Sequence, residues 1–122
     1  MRYMLMIYAD EAAMANVPTE ATYRMSAAYD AYTEALKKSG TWLAGDRLRP
    51  SQATTLVRMT DGKTSVLDGP YADTKEQLAG FYMIEAEDAD AAIAWAARCP
   101  AASTGTVEVR PIWEMADYLP KK

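Results

Sequence analysis

The side chains best suited to chemistry in this sequence are concentrated in one short polar segment. Asp68, Asp73 and Glu76 supply three carboxylates, and Lys75 adds an ammonium group next to Glu76. A carboxylate can act as a general base, and a basic side chain can orient an anionic substrate group through charge-assisted hydrogen bonds. We therefore take Asp68, Lys75 and Glu76 as candidate catalytic residues and expect a pocket beside this segment.

Turn and capping chemistry offers a second interpretation of the same segment. The run Asp68–Pro70 contains residues typical of a tight turn. The run Asp73–Gln77 contains two overlapping capping boxes, so it predicts a short helical turn that ends before Gly80. On this interpretation the carboxylates only turn and cap the chain, and the lysine is a solvated charge.

Candidate ligand contacts extend beyond the carboxylates. Small-molecule pockets combine apolar walls with a few converging polar groups. Arg47 follows a short predicted strand and would line the mouth of such a pocket, unless it forms an exposed ion pair with Asp46. Phe81 and Tyr82 alternate along an apolar strand, and we expect Phe81 to face the core. The residues expected to contact a ligand are Arg47, Asp68, Tyr71, Asp73 and Tyr82.

Composition argues against several other kinds of site. The chain of 122 residues has a net charge of −4 and no cluster of basic residues, whereas nucleic-acid binding depends on basic contacts to phosphate. The sequence has no histidine and a single cysteine, Cys99, which is interpreted as a buried small hydrophobe. The usual ligands of zinc and transition metals are therefore missing. We expect no metal and no cofactor, while an all-oxygen Mg²⁺ or Ca²⁺ site stays open.

Hydropathy predicts no association with a membrane. The first apolar run is too short to span a bilayer and is interrupted by Asp10 and Glu11. The lone cysteine cannot form an internal disulfide, which is compatible with a reducing compartment. We expect a cytoplasmic protein.

The elements that position the polar segment are predicted from apolar spacing and turn residues. The predicted strands are Arg2–Ala9, Thr41–Gly45, Phe81–Ile84 and Thr106–Pro111, with hairpin arms Ala53–Met59 and Thr64–Leu67 around Asp61 and Gly62. One predicted helix follows Thr19 as its N-cap and ends before Gly40. A second is capped by Asp88 or Asp90 and ends near Cys99, because Pro100 disfavours helical geometry in the residue before it.

This order of elements predicts a single α+β domain over residues 1–122. It corresponds to a ferredoxin-like βαββαβ protomer with an antiparallel sheet and an inserted β-hairpin. Two helices can cover only one face of the sheet, yet the runs Met4–Tyr8 and Phe81–Ile84 are apolar without alternation. A second copy of the chain would cover the other face, so we expect a homodimer with sheets packed face to face.

A resemblance to a known family becomes specific at the polar segment. Asp68 to Tyr82, which reads DGPYADTKEQLAGFY, resembles the D-G-P-F-A-E-T-K-E-Q-L-G-G-F-Y signature of the YCII-related, or DGPF, domain family. Tyr71 stands where Phe is usual, and Asp73 where Glu is usual. The segments Met1–Tyr8, Ala53–Arg58, Ala91–Ala96 and Gly105–Pro111 are similar to the family's opening strand, hairpin, closing helix and closing strand. The resemblance implies a dimeric α+β barrel.

The resemblance does not imply a particular reaction. Members of the wider superfamily carry a His-Asp pair proposed to be catalytic, and relatives on the fold include isomerases, dehalogenating enzymes and monooxygenases. This sequence has no histidine, and Cys99 falls where those members carry the aspartate. A histidine-based acid/base mechanism therefore does not transfer to this chain.

The sequence supports three hypotheses about function and does not determine whether the protein is an enzyme. The leading one is a homodimer that binds or converts a small molecule in a pocket near the Asp68–Glu76 loop. The alternative is a non-catalytic regulatory or protein-interaction module, because the resemblance implies an association with sigma-factor-linked regulation. The third is a scaffold in which the loop only shapes the fold.

Overall fold

The computed structural model describes residues 1–120 of the chain. Within this range the strands are β1 (Arg2–Ala9), β2 (Trp42–Arg47), β3 (Thr55–Thr60), β4 (Lys63–Asp68), β5 (Gln77–Glu85) and β6 (Thr106–Pro111). The α-helices are α1 (Glu11–Met14), α2 (Thr19–Lys38), α3 (Ala89–Arg98) and α4 (Met115–Tyr118). Short 3₁₀ helices span Ser51–Ala53 and Pro100–Ser103.

Four of the strands form one antiparallel sheet in the order β2-β5-β1-β6, and β3 and β4 pair with each other as a separate hairpin. Each βαβ half contributes two of the four strands, and the hairpin is inserted between the halves. This arrangement confirms the predicted α+β, ferredoxin-like fold with an inserted hairpin. None of the helices within residues 1–120 is long and apolar enough to cross a membrane.

The hydrophobic core lies between one face of the sheet and helices α2 and α3. Alternate residues of β1, namely Tyr3, Leu5 and Ile7, point into it. Leu36 of α2 and Ile84 of β5 meet them there, and Leu5, Leu36 and Ile84 are all 0% exposed. Because successive side chains of a strand point to opposite faces, half of the apolar run of β1 faces the helices.

The other half of each apolar run lies on the opposite face of the sheet, which we call the open face. Met4 pairs with Met83, and Met6 pairs with Phe81, across β1 and β5. These four side chains are only partly buried, because both long helices pack on the other face. The expectation that Phe81 faces the core is wrong: this register places Tyr82 in the core, where it is 7% exposed.

The helix boundaries agree with the sequence patterns except at one end. Helix α3 is capped by Asp88, whose side chain accepts a hydrogen bond from the Ala91 N–H at 2.8 Å, and it ends at Arg98. Helix α2 ends before Gly40 as predicted. Its first residue is Thr19 itself, so the predicted N-cap is wrong: Pro18 occupies the cap position without a side-chain hydrogen bond.

The hairpin turns where the sequence predicts, at Asp61 and Gly62, which have φ values of 51° and 76°. The positive φ at both positions matches the twist of a tight β-hairpin. Along β3 and β4 almost every side chain is exposed, including the directly opposite Val57 and Val66 at 63% and 58%. A two-stranded hairpin with such exposure gains little stability from burial.

Candidate functional site

A cavity of about 720 Å³ opens between the polar segment and the connection that joins β2 to β3. This volume lies within the range of roughly 300–1,000 Å³ that is typical of small-molecule sites. We call it the loop cavity. Its walls are formed by Tyr8, Leu48, Arg49, Pro50, Ser51, Ala53, Thr54, Pro70, Tyr71, Ala72, Thr74, Glu76, Gln77 and Leu78.

A bulge between β1 and β5 shapes the inner wall of the loop cavity. Ile7 pairs with Gly80 and Tyr8 pairs with Leu78, so Ala79 is an extra residue on β5. The Ala79 carbonyl accepts a hydrogen bond from the Leu48 N–H at 2.8 Å. Because a bulge bends its strand and redirects side chains, it places Tyr8 beside Leu78 and holds the β2–β3 connection against β5.

Two glycines of the polar segment have backbone reasons to be glycine. Gly69 has φ 111°, a conformation that other residues adopt only with strain, and its N–H donates to the Thr54 carbonyl at 2.8 Å. Gly80 lies so close to β2 that an added Cβ would stand 2.8 Å from the Asp46 carbonyl oxygen. The first glycine ties the loop to the start of β3, and the second allows β2 to approach β5.

Glu11 connects three parts of the cavity wall. Its carboxylate accepts hydrogen bonds from the Ser51 N–H and the Ser51 hydroxyl, both at 2.6 Å. Its own N–H donates to Gln77 Oε1 at 3.0 Å. The sequence alone does not predict this role of Glu11, because the stretch before α2 has the pattern of a loop; the available signal is Asp10, which caps α1 by accepting from the Ala13 N–H at 3.2 Å.

Two opposite charges line the loop cavity without pairing. Oε1 of the partly buried Glu76 accepts a hydrogen bond from the Thr106 hydroxyl at 2.7 Å. Arg49 extends from the opposite wall and is exposed. The ion pairs found within residues 1–120 involve neither side chain: they join the Met1 amino group to Glu85, and Arg2 to Glu114.

Two of the site residues predicted from the sequence, Glu76 and Tyr71, line the loop cavity. The Tyr71 ring is 79% exposed at the rim. The remaining candidates lie elsewhere: Arg47, Asp68, Asp73 and Lys75 are exposed and outside the cavity wall, and Tyr82 is buried under α2. Arg49 was missed, although the sequence marks it as part of a polar stretch near Arg47.

The predicted helical turn within the polar segment does not form, and neither capping box caps a helix. The chain at Asp73–Gln77 is instead irregular and then extended, with β5 beginning at Gln77. The Thr74 hydroxyl donates to the Glu76 carbonyl, and Gln77 Nε2 donates to the Thr74 carbonyl, each at 2.5 Å. Pairing of Gln77 with Ala9 draws the chain into the sheet, which overrides the local helical signal.

A second group of polar side chains lies in the core and serves structure. The Tyr32 hydroxyl donates to the Trp95 carbonyl at 2.7 Å, and Tyr82 and Thr33 share a hydrogen bond of 3.2 Å. Burial raises the pKa of the Cys99 thiol above its ordinary value. The thiol therefore stays protonated at neutral pH, which agrees with its interpretation as a buried small hydrophobe.

Comparison with known proteins assigns this architecture to a family. The YCII-related domain matches residues 1–116. The chain belongs to the YCII-related domain family. A relative in Rhizobium meliloti (strain 1021), an uncharacterised protein, is 36% identical over 114 residues, which cover 92% of each chain. The resemblance inferred from the polar segment is therefore confirmed.

In this YCII-related domain, the family signature and the loop cavity coincide. Seven of the fourteen residues lining the cavity lie between Pro70 and Leu78, inside the segment that resembles the signature. Within residues 1–120, no three His, Cys, Asp or Glu side chains group closely enough to hold a metal ion. The charged groups that the cavity offers are one carboxylate and one guanidinium, set among apolar walls and neutral hydroxyl and amide groups.

Proposed function

We propose that this YCII-related protein is a homodimer that binds a small molecule in the loop cavity. The observation that carries the proposal is the cavity itself, which has the volume of a small-molecule site and takes half of its lining from the signature segment. Apolar side chains such as Leu48, Pro50 and Leu78 would exclude water from a ligand, while the few polar groups would fix its orientation.

The same geometry favours one group as the participant in any conversion of the ligand. Glu76 is the carboxylate in the cavity wall, and its Oε2 makes no hydrogen bond to the described part of the chain. It is therefore the candidate proton acceptor. Asp68 and Lys75, which the sequence also nominated, lie outside the wall and would act only after a rearrangement of the loop.

The open face supports the homodimer. Met4, Met6, Phe81 and Met83 form an apolar surface on a sheet whose two long helices pack behind it. Taking such a side chain from full exposure to full burial contributes about 1.5–3 kcal/mol, and a second copy would gain the part that is still exposed. A two-fold axis would use the same surface on both copies. Tyr8 continues this face along β1 and also lines the loop cavity, so the second copy would lie next to the ligand.

A fragment screen by NMR tests the binding part of the proposal. Bound fragments are expected to shift the amide resonances of the cavity wall, and Ala53→Trp should weaken binding because it fills the cavity. Ala97→Trp is the matched control, because Ala97 is an exposed alanine on α3 outside the cavity. Shifts that map elsewhere, or equal binding by both variants, would refute the loop cavity as the site.

Light scattering after size-exclusion chromatography tests the homodimer. The expected mass at micromolar concentration is twice that of the chain. A monomer mass under these conditions would refute the dimer but would leave the binding proposal standing, because the cavity is formed within one chain.

The protein-interaction alternative is favoured by one observation, the exposed hairpin. Val57, Met59 and Val66 share one face of β3 and β4, and each is at least 58% exposed. Such a surface fits a protein contact, including a contact with regulators linked to sigma factors. Purification from the native cell would decide: a partner protein retained by the wild type and lost with Val57→Asp supports this alternative, and recovery of the protein without a partner opposes it.

A further inference from the structure

We infer that the ligand of the loop cavity is a small zwitterion with an apolar body, of the amino-acid type. Its carboxylate would bind Arg49, and its ammonium group would bind Glu76. This inference rests on the proposed function and names the ligand class for the same site.

Three neutral polar side chains in the cavity wall, Ser51, Thr74 and Gln77, are already engaged by the protein. Both donors of Ser51 bind the Glu11 carboxylate. The Gln77 amide is used at both ends, by the Glu11 N–H and by the Thr74 carbonyl. The Thr74 hydroxyl donates to the backbone. These groups are held by structural partners, which leaves them fewer donors and acceptors for a ligand.

Besides the hydroxyls of Thr54 and Tyr71, the side chains with free hydrogen-bonding capacity in the wall are two charged groups of opposite sign, Glu76 and Arg49. Glu76 uses Oε1 to accept from Thr106 and keeps Oε2 for another donor. Arg49 has no hydrogen-bond or ion-pair partner in the described part of the chain, and its guanidinium can bind a carboxylate with two parallel hydrogen bonds. The pair lines one cavity yet does not close into an ion pair, so the space between them is available to a ligand.

This charge pattern discriminates among ligand classes. A simple anion would be attracted by Arg49 and repelled by the like charge of Glu76. A simple cation would be attracted by Glu76 and repelled by the like charge of Arg49. A neutral apolar molecule would use the walls and neither charge. A zwitterion satisfies both, and the apolar side chains Leu48 and Leu78 provide a surface for its body.

Three probes that share one aromatic body test the inference on the full chain. L-Phenylalanine carries both charges, 3-phenylpropanoate lacks the ammonium group, and 2-phenylethylamine lacks the carboxylate. Titrations followed by NMR should give a Kd for L-phenylalanine about ten-fold lower than for either analogue, because each analogue forfeits its contact with one of the two charged side chains.

Variants that remove one charge test which side chain binds which charged group of the ligand. Arg49→Gln should raise the Kd of L-phenylalanine about ten-fold but should not raise that of 2-phenylethylamine, because the cation loses only the repulsion of a like charge. Glu76→Gln should raise the Kd of L-phenylalanine but should not raise that of 3-phenylpropanoate, because the anion loses only the repulsion of a like charge. Arg47→Gln is the matched control, because Arg47 is exposed and lies outside the cavity wall.

The outcomes separate the inference from the proposed function. If neutral fragments bind the cavity and Ala53→Trp blocks them, while L-phenylalanine shows no advantage or no binding, the zwitterion is refuted and the small-molecule site survives. If L-phenylalanine binds with shifts outside the cavity and is insensitive to Ala53→Trp, both are refuted.

Discussion

The contact between Glu11 and Ser51 gives a prediction whose size follows from the structure. Replacing Glu11 with alanine removes a carboxylate that accepts two hydrogen bonds of 2.6 Å, from the Ser51 N–H and the Ser51 hydroxyl. A hydrogen bond to a charged group contributes about 1.5–3 kcal/mol when well protected. Both residues are partly exposed, so water replaces part of the loss, and we expect Glu11→Ala to lower the free energy of unfolding by about 2 kcal/mol.

Urea denaturation measures this change. With a slope of about 2 kcal/mol per molar urea, the midpoint should fall by about 1 M at equal protein concentration. Glu11→Gln keeps an acceptor without the charge and should lose about half as much. Amide hydrogen exchange should show faster exchange at the Ser51 N–H in Glu11→Ala, because that donor loses its partner.

Glu87→Ala serves as the control, because Glu87 is exposed and makes no side-chain hydrogen bond or ion pair within residues 1–120. A midpoint for Glu11→Ala within about 0.2 M of this control, on the same urea scale, would refute the reasoning. Weaker fragment binding in Glu11→Ala, with shifts confined to the cavity wall, would further link the contact to the shape of the site.

Three further predictions concern the open face, the core and the buried tyrosines. Phe81→Asp should raise the dimer Kd more than 100-fold, as measured by analytical ultracentrifugation, because each of the two copies loses an apolar contact of about 1.5–3 kcal/mol. An unchanged Kd would exclude the open face as the dimer interface. Leu36→Ala should cost about 2–5 kcal/mol in urea unfolding, since the side chain is 0% exposed, and a loss below about 1 kcal/mol would contradict tight packing there. Burial raises the pKa of Tyr29 to about 12, so the folded state binds more protons than the unfolded state above pH 10. The contribution of Tyr29 to the free energy of unfolding should therefore be fully present below pH 10 and be lost as the pH rises towards 12. Tyr29→Phe should make the loss of stability over this range less steep. An equally steep loss in the variant would show that other groups cause it.

Much of the fold follows from the sequence because its signals are local. The bounds of β1 and β6 agree residue for residue with the predicted strands Arg2–Ala9 and Thr106–Pro111. The hairpin turn follows from Asp61 and Gly62, since few other residue pairs accept positive φ at two successive positions. The dimer, in contrast, stays a prediction that the single chain does not test.

The polar segment shows where local signals fail. Its capping boxes predict a helical turn, but pairing of β5 with β1 extends the chain from Gln77 onwards. The same pairing puts Tyr82 in the core and Phe81 on the open face, the reverse of the expectation. Helical and strand conformations compete within a few residues, and the partner strand, which is distant in sequence, determines which one forms.

The sequence by itself determined the family, the α+β architecture and the segment around which a site was expected. The tertiary structure decided which side chains share that site: it left Asp68 and Lys75 outside and placed Glu76 and Arg49 in the wall of one cavity, with Glu11 supporting that wall. The physical reason is that apolar period and turn chemistry act over a few residues, whereas a cavity is formed by strand register and by contacts between distant segments.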